Sequence, residues 1–172
     1  MIIVLVVGKP NYENMLDICL TARALGASSA VFTISNPQLI SRLKRSCSVV
    51  AKKWGGNFSV QFTSNWKGYL ESRRNYKTVH LTRYGIPVQK RLYTLRSYKN
   101  IIIAISTTKE LKSMCTVADF NISITSQPHS SIAAMAIFLN QYFAGRELSL
   151  NFSNAKFKVL PSQNEQLLKR TK

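Results

Sequence analysis

Three short stretches carry the residue types that hold a small polar ligand: Leu81-Thr82-Arg83-Tyr84-Gly85, Ser106-Thr107-Thr108-Lys109 and Thr125-Ser126-Gln127-Pro128-His129-Ser130. Each is rich in hydroxyls, amides or turn residues, and each follows a short apolar run. Open backbone groups and short side chains of this kind can hold a nucleoside-like cofactor, although loops and helix caps use the same residues for themselves. Neither a G-x-G-x-x-G fingerprint nor a phosphate-loop lysine motif occurs, which disfavours a dinucleotide or a nucleoside triphosphate. No G-x-S-x-G elbow is present, and no pair of acids is placed for acid–base work. His80 and His129 are the only histidines, and Cys19, Cys47 and Cys115 are far apart, so no metal is expected. An odd number of cysteines without a C-x-x-C pair fits a reducing cytoplasm better than a disulfide framework.

The elements that must position these turns alternate short β-rich runs with amphipathic helices. Ile2–Val7 reads as a buried strand, and Glu13–Leu25 as a helix with Met15, Ile18, Cys19, Ala22 and Leu25 at helical spacing. A strand at Ala30–Ile34 follows, then a helix over Pro37–Trp54 capped by Asn36. Further strands are expected at Phe58–Phe62, Thr78–Leu81, Ile101–Ile105 and Asn121–Ile124, with helices at Trp66–Asn75 and Ser130–Gly145. Strands separated by helices predict a single α/β domain with an open, mostly parallel sheet and flanking helices. In such sheets ligands bind at the carboxyl ends of the strands, which is where the three turns fall. The tail after Gly145 is polar and basic, with one strand expected around Lys156–Leu160. The helix at Ser130–Gly145 is apolar on every side and is therefore expected to be enclosed, either at a dimer interface or by threading through a loop; periodicity does not choose.

The charge balance names a partner class. In 172 residues, 24 Lys and Arg face 7 Asp and Glu, a formal net charge of +17. That surplus on a chain with 45% hydrophobic residues points to a folded domain that binds a polyanion. On Pro37–Trp54 an apolar stripe of Leu39, Leu43, Cys47, Val50 and Trp54 faces inward. Arg42, Arg45, Lys52 and Lys53 line another face as a ridge suited to RNA phosphates. No apolar run approaches the roughly 18 residues of a membrane span, and the opening MIIVLVVGKP lacks the basic region of a signal peptide, so no membrane partner is expected.

The segments VHLTRYG (Val79–Gly85), ADFNISITSQPHSSIAAMAIFL (Ala118–Leu139) and LTARALGA (Leu20–Ala27) resemble the archaeal tRNA (cytidine-56-2'-O)-methyltransferase family. Supporting similarity lies around Lys53-Trp54-Gly55-Gly56, Asn65-Trp66 and Phe152–Pro161, and Gln127-Pro128-His129-Ser130 before an alanine-rich helix is the most specific part. The resemblance implies a SPOUT-class fold whose C-terminal half, about residues 78–145, forms a trefoil knot, followed by a basic tail at about 146–172. It implies a homodimer that uses S-adenosylmethionine to methylate the ribose 2'-oxygen of a T-loop cytidine in tRNA.

Carried over position by position, the cofactor would be held by Leu81, by Ser106, Thr107, Thr108, Lys109 and Glu110, and by Thr125, Ser126, Gln127, Pro128, His129 and Ser130. Arg23, in the matching LTARA segment, is the candidate for positioning a phosphate or the 2'-oxygen, and His129 for proton handling. Where the family carries glycine, this sequence has Ser106 and Thr125, adding a β-carbon where backbone would approach the ligand. Two alternatives follow: an RNA-binding homologue that has lost the cofactor, or a 2'-O-methyltransferase for another RNA position.

Overall fold

Six consecutive apolar residues leave the first strand, β1 (Ile2–Val7), no face to turn to water. It has to be covered on both sides, and each of its side chains is 5% exposed or less. The computed structural model describes residues 1–107 and 112–171. The other strands of the sheet are β2 (Ser29–Phe32), β3 (Ser59–Phe62), β4 (Lys77–Pro87), β5 (Ile101–Ser106) and β6 (Phe120–Ser123). They lie in the order β3-β2-β1-β5-β4-β6, and every neighbouring pair is parallel.

The helices are α1 (Tyr12–Ala24), α2 (Pro37–Trp54), α3 (Trp66–Glu71), α4 (Leu92–Arg96), α5 (Lys112–Val117) and α6 (Ser131–Phe143). Alternate residues of β1 divide them between two faces. Ile2, Val4 and Val6 pack with Met15 and Ile18 of α1, Leu43 of α2, Leu95 of α4 and Phe138 of α6. Ile3, Leu5 and Val7 pack with Leu70 of α3 and Met114 of α5. Burying one such side chain is worth about 1.5–3 kcal/mol, so β1 and β5 anchor the layers and fix the height of the turns at their carboxyl ends. Helix starts are set by side chains: the Oδ1 atoms of Asn11, Asn36 and Asn65 accept from Asn14, Leu39 and Gly68 N–H at 2.9, 3.0 and 3.0 Å.

The structure departs from the sequence reading at several elements, among them β4, which runs on to Pro87 instead of ending at Leu81. The helix expected over Trp66–Asn75 ends at Glu71, because Ser72 and Arg73 N–H turn back onto the Gly68 and Leu70 carbonyls. Helices α4 and α5, five and six residues long, carry no periodic signal in so short a run. The tail forms two strands, β7 (Phe157–Leu160) and β8 (Leu167–Arg170), paired as an antiparallel hairpin. Within the single chain helix α6 leaves Ala133 and Ile137 exposed, the latter by 46%. Hydropathy reports which side chains are apolar, and the single chain covers only the face carrying Ala134, Met135, Phe138 and Leu139.

Candidate functional site

The carboxyl ends of β4, β5 and β6 converge on one cavity of about 190 Å³. Strand β4 supplies His80, Leu81, Thr82 and Arg83, β5 supplies Ile105 and Ser106, and the turn before α6 supplies Gln127, Pro128 and His129. A second cavity of about 290 Å³ adjoins it, sharing Ser106, His129 and Ser131 and reaching Asn14 and Ile18 on α1. Together they have the size and the mixed apolar and polar lining of a small-ligand site. Thr107 lines the second one; its N–H donates to the Val7 carbonyl at 3.1 Å. Its hydroxyl is buried and finds no partner among the described residues. A buried hydroxyl without a partner is costly, and a polar ligand group in this cavity would satisfy it.

Strand β4 changes character where it meets the site. It pairs with β6 through Leu81↔Ile122, then bulges over Thr82–Gly85 and returns with Ile86↔Ile122. A side chain at Gly85 would put its β-carbon 2.5 Å from the Ile122 backbone, so only glycine lets the two chains touch there. Beneath the bulge His80 is buried, with its Nδ1 2.9 Å from Asn121 Oδ1. The Asn121 amide donates its own N–H to the Cys115 carbonyl at 2.8 Å, which turns Oδ1 toward the imidazole. Oδ1 can only accept, so His80 Nδ1 is the donor in this pair. The third turn is held from within. Gln127 N–H donates to Thr125 Oγ1 at 3.2 Å, and Ala133 N–H donates to Ser130 Oγ at 3.1 Å to cap α6.

Of the predicted cofactor residues, Leu81, Ser106, Thr107, Gln127, Pro128, His129 and Ser130 line these two cavities. Thr125 and Ser126 belong to the same turn but not to the wall, so the β-carbon that replaces glycine at Thr125 does not enter the cavity. Thr108, Lys109 and Glu110 lie outside the described residues. Arg23 is not brought to the site. Its Nη2 donates to the Trp54 and Gly55 carbonyls at 2.9 and 2.5 Å, and its guanidinium stacks 4.4 Å over Phe152. Burial pushes its basicity down. Arg23 thus ties α1 to the end of α2 and to the tail, and lines neither of the two cavities. His80 and Asn14 are wall residues that the sequence reading did not select, while Thr82 and Arg83 fall in the first of its three stretches without having been assigned to the cofactor. For His80 the signal was its adjacency to Leu81. Arg42, Arg45, Lys52 and Lys53 are all exposed on α2.

Comparisons with known proteins identify the family of the chain. Residues 54–169 match the model of the tRNA ribose 2'-O-methyltransferase family, aTrm56. A tRNA (cytidine(56)-2'-O)-methyltransferase of Methanocaldococcus jannaschii is 35% identical over 169 residues, covering 96% of this chain and 92% of the relative. A protein of the same description from Picrophilus torridus is 35% identical over 172 residues, 98% of this chain, which spans 49% of that longer relative. Among solved structures, the SpoU methyltransferase AviRb from Streptomyces viridochromogenes in complex with the cofactor AdoMet superposes with a TM-score of 0.62. It is 13% identical over 85% of this chain and 57% of its own, a likeness that shows the SPOUT fold alone. With a match over about two thirds of its length and relatives of this identity across nearly all of it, the chain belongs to the tRNA ribose 2'-O-methyltransferase family aTrm56.

Proposed function

We propose that this chain transfers a methyl group from S-adenosylmethionine to the ribose 2'-oxygen of the T-loop cytidine at position 56 of tRNA. The observation that carries the reading is the convergence of Leu81, Ser106 and Gln127-Pro128-His129 on one cavity at the strand ends of a chain of this family. The residues present fit the cofactor. The apolar wall of Leu81, Ile105 and Ala134 suits a flat base, while Ser106, Thr107 and Gln127 offer the polar partners of a nucleoside and an amino-acid moiety. The Thr107 hydroxyl, without a partner among the described residues, supplies one such group.

When bound, S-adenosylmethionine supplies an electrophilic methyl carbon on a sulfonium. The chain's own contribution is to hold the acceptor oxygen in line with that carbon, where correct positioning supplies much of the rate. The ribose hydroxyl would give up its proton as its oxygen takes the methyl group and the carbon–sulfur bond breaks, leaving a neutral thioether. His129 stands between the two cavities and is exposed, so its imidazole is the group we assign to accept that proton. The ridge of Arg42, Arg45, Lys52 and Lys53 would follow tRNA phosphates. Arg23 serves as the brace already described, at the junction of α1, α2 and the tail.

The proposal includes a homodimer, supported by the apolar Ala133–Ile137 face that α6 leaves uncovered. It includes a knotted C-terminal half within one domain. Supporting this, the β4–β5 crossover lies against α6: Arg96 Nε donates to the Tyr142 carbonyl at 3.2 Å, and the Tyr142 hydroxyl to the Tyr98 carbonyl at 2.6 Å. No helix among the described residues is long and apolar enough to cross a membrane, and the tRNA substrate would locate the protein in the cytoplasm.

The test is methyl transfer itself. Radiolabelled S-adenosylmethionine and an unmodified tRNA transcript should give one labelled ribose at cytidine 56, identified by mass spectrometry of nuclease fragments. His129→Ala should lower kcat roughly 100-fold with tRNA affinity retained. Intact tRNA binding without any label would overturn the enzymatic reading.

A further inference from the structure

Tyr84 has an aromatic ring that is 73% exposed, in a segment the fold otherwise holds tightly. Its N–H donates to Thr82 Oγ1 at 3.3 Å, and the next residue, Gly85, lies backbone to backbone on Ile122. Pairing with β6 resumes at Ile86. The ring is therefore presented from a bulge fixed on both sides, one residue beyond Leu81, Thr82 and Arg83 in the cavity wall. A solvent-exposed ring adds nothing to the core, and its fixed mounting lowers the entropy lost when something stacks on it.

The surroundings give the chemistry of the partner. The Arg83 guanidinium lies 5.1 Å from the centroid of the Tyr84 ring. An exposed aromatic face beside a guanidinium suits a base whose sugar–phosphate chain runs next to it. Unstacked bases of RNA loops are held in this way, on an aromatic platform next to arginine. We propose that Tyr84 stacks on the base that flanks the nucleotide being methylated, and so positions the target ribose at the mouth of the cavity. This rests on the reading of the chain as a tRNA methyltransferase. Tyr84 is a positioning residue, since the methyl and the proton pass elsewhere.

The test uses the full chain and a tRNA transcript carrying 2-aminopurine beside the target cytidine. The wild-type protein and Tyr84→Phe should quench the fluorophore, and Tyr84→Ala should not. In methyl transfer, Tyr84→Ala should raise KM for tRNA roughly 5- to 100-fold. Tyr84→Phe should stay within about twofold of wild type, and S-adenosylmethionine affinity by calorimetry should be unchanged in both. Equal quenching and equal KM in Tyr84→Ala would overturn the proposal. A fall in kcat alone, or a change of oligomeric state with quenching retained, would overturn it too, giving Tyr84 a structural role or a contact between copies. A wild-type protein that quenches through Tyr84 yet transfers no methyl would defeat the proposed activity while upholding the stack.

Discussion

The pairing of two thiols shows how a buried side chain sets the reactivity of its neighbour. Cys19 is buried on α1 and Cys47 is half-buried on α2. The neighbouring Cys47 sulfur and burial raise the Cys19 pKa, while the neighbouring Cys19 lowers that of Cys47. A thiolate is the nucleophile, so Cys47 should react first. Native protein exposed briefly to iodoacetamide near neutral pH should therefore carry the label on Cys47 ahead of Cys19, as read by peptide mass spectrometry. Equal labelling would mean that the two sulfurs do not share a proton. At this scale the sequence identified residue types better than roles. The Gln127-Pro128-His129 run was legible because its signal is local. Arg23 was not, because its partners, the Trp54 and Gly55 carbonyls and the Phe152 ring, lie 31 to 129 positions away along the chain.

Elements were legible in proportion to how completely they are buried. Runs such as Ile2–Val7 and Ile101–Ile105 read as strands because a central parallel strand has no solvent face, and both lie in the middle of the sheet. The long outer helix α2 read correctly because its apolar stripe persists over 18 residues. The extension of β4 past Leu81 was hidden, since Thr82-Arg83-Tyr84-Gly85 has the composition of a turn and only the partner strand reveals that pairing resumes at Ile86. That bulge is the element most exposed to a single change. Gly85→Ala would thrust a β-carbon to 2.5 Å from the Ile122 backbone, which has no flexible side-chain end to yield. Overpacking of this kind costs about 1–3 kcal/mol. Thermal unfolding of Gly85→Ala should show a Tm several degrees lower, with S-adenosylmethionine affinity reduced because Leu81, Thr82 and Arg83 shift with the bulge. An unaltered Tm would show that the β4–β6 contact is looser than drawn.

Across the whole molecule, charge and fold divide the work between the two ends of α2's environment. One side of the helix delivers Leu43 to the core, while Arg42, Arg45, Lys52 and Lys53 stand in solvent on the other. None of the four is among the ion pairs of the described residues, where Lys77–Asp119 is the single example. Two are already ordered against aromatic rings, Arg42 at 3.6 Å over Tyr12 and Lys53 at 5.1 Å over Trp54. A fixed row of unneutralised cations binds a phosphate chain mainly by releasing its counterions, so the salt dependence of binding counts the contacts. Changing all four residues to Glu should leave the melting temperature nearly unchanged, since exposed side chains away from caps and networks contribute little. The same variant should weaken tRNA binding and flatten the slope of log K against log salt by about three to four, close to one per cation removed. A slope equal to that of the wild type would move the tRNA to another face, and the surplus charge on α2 would then serve only to keep the protein apart from its own copies.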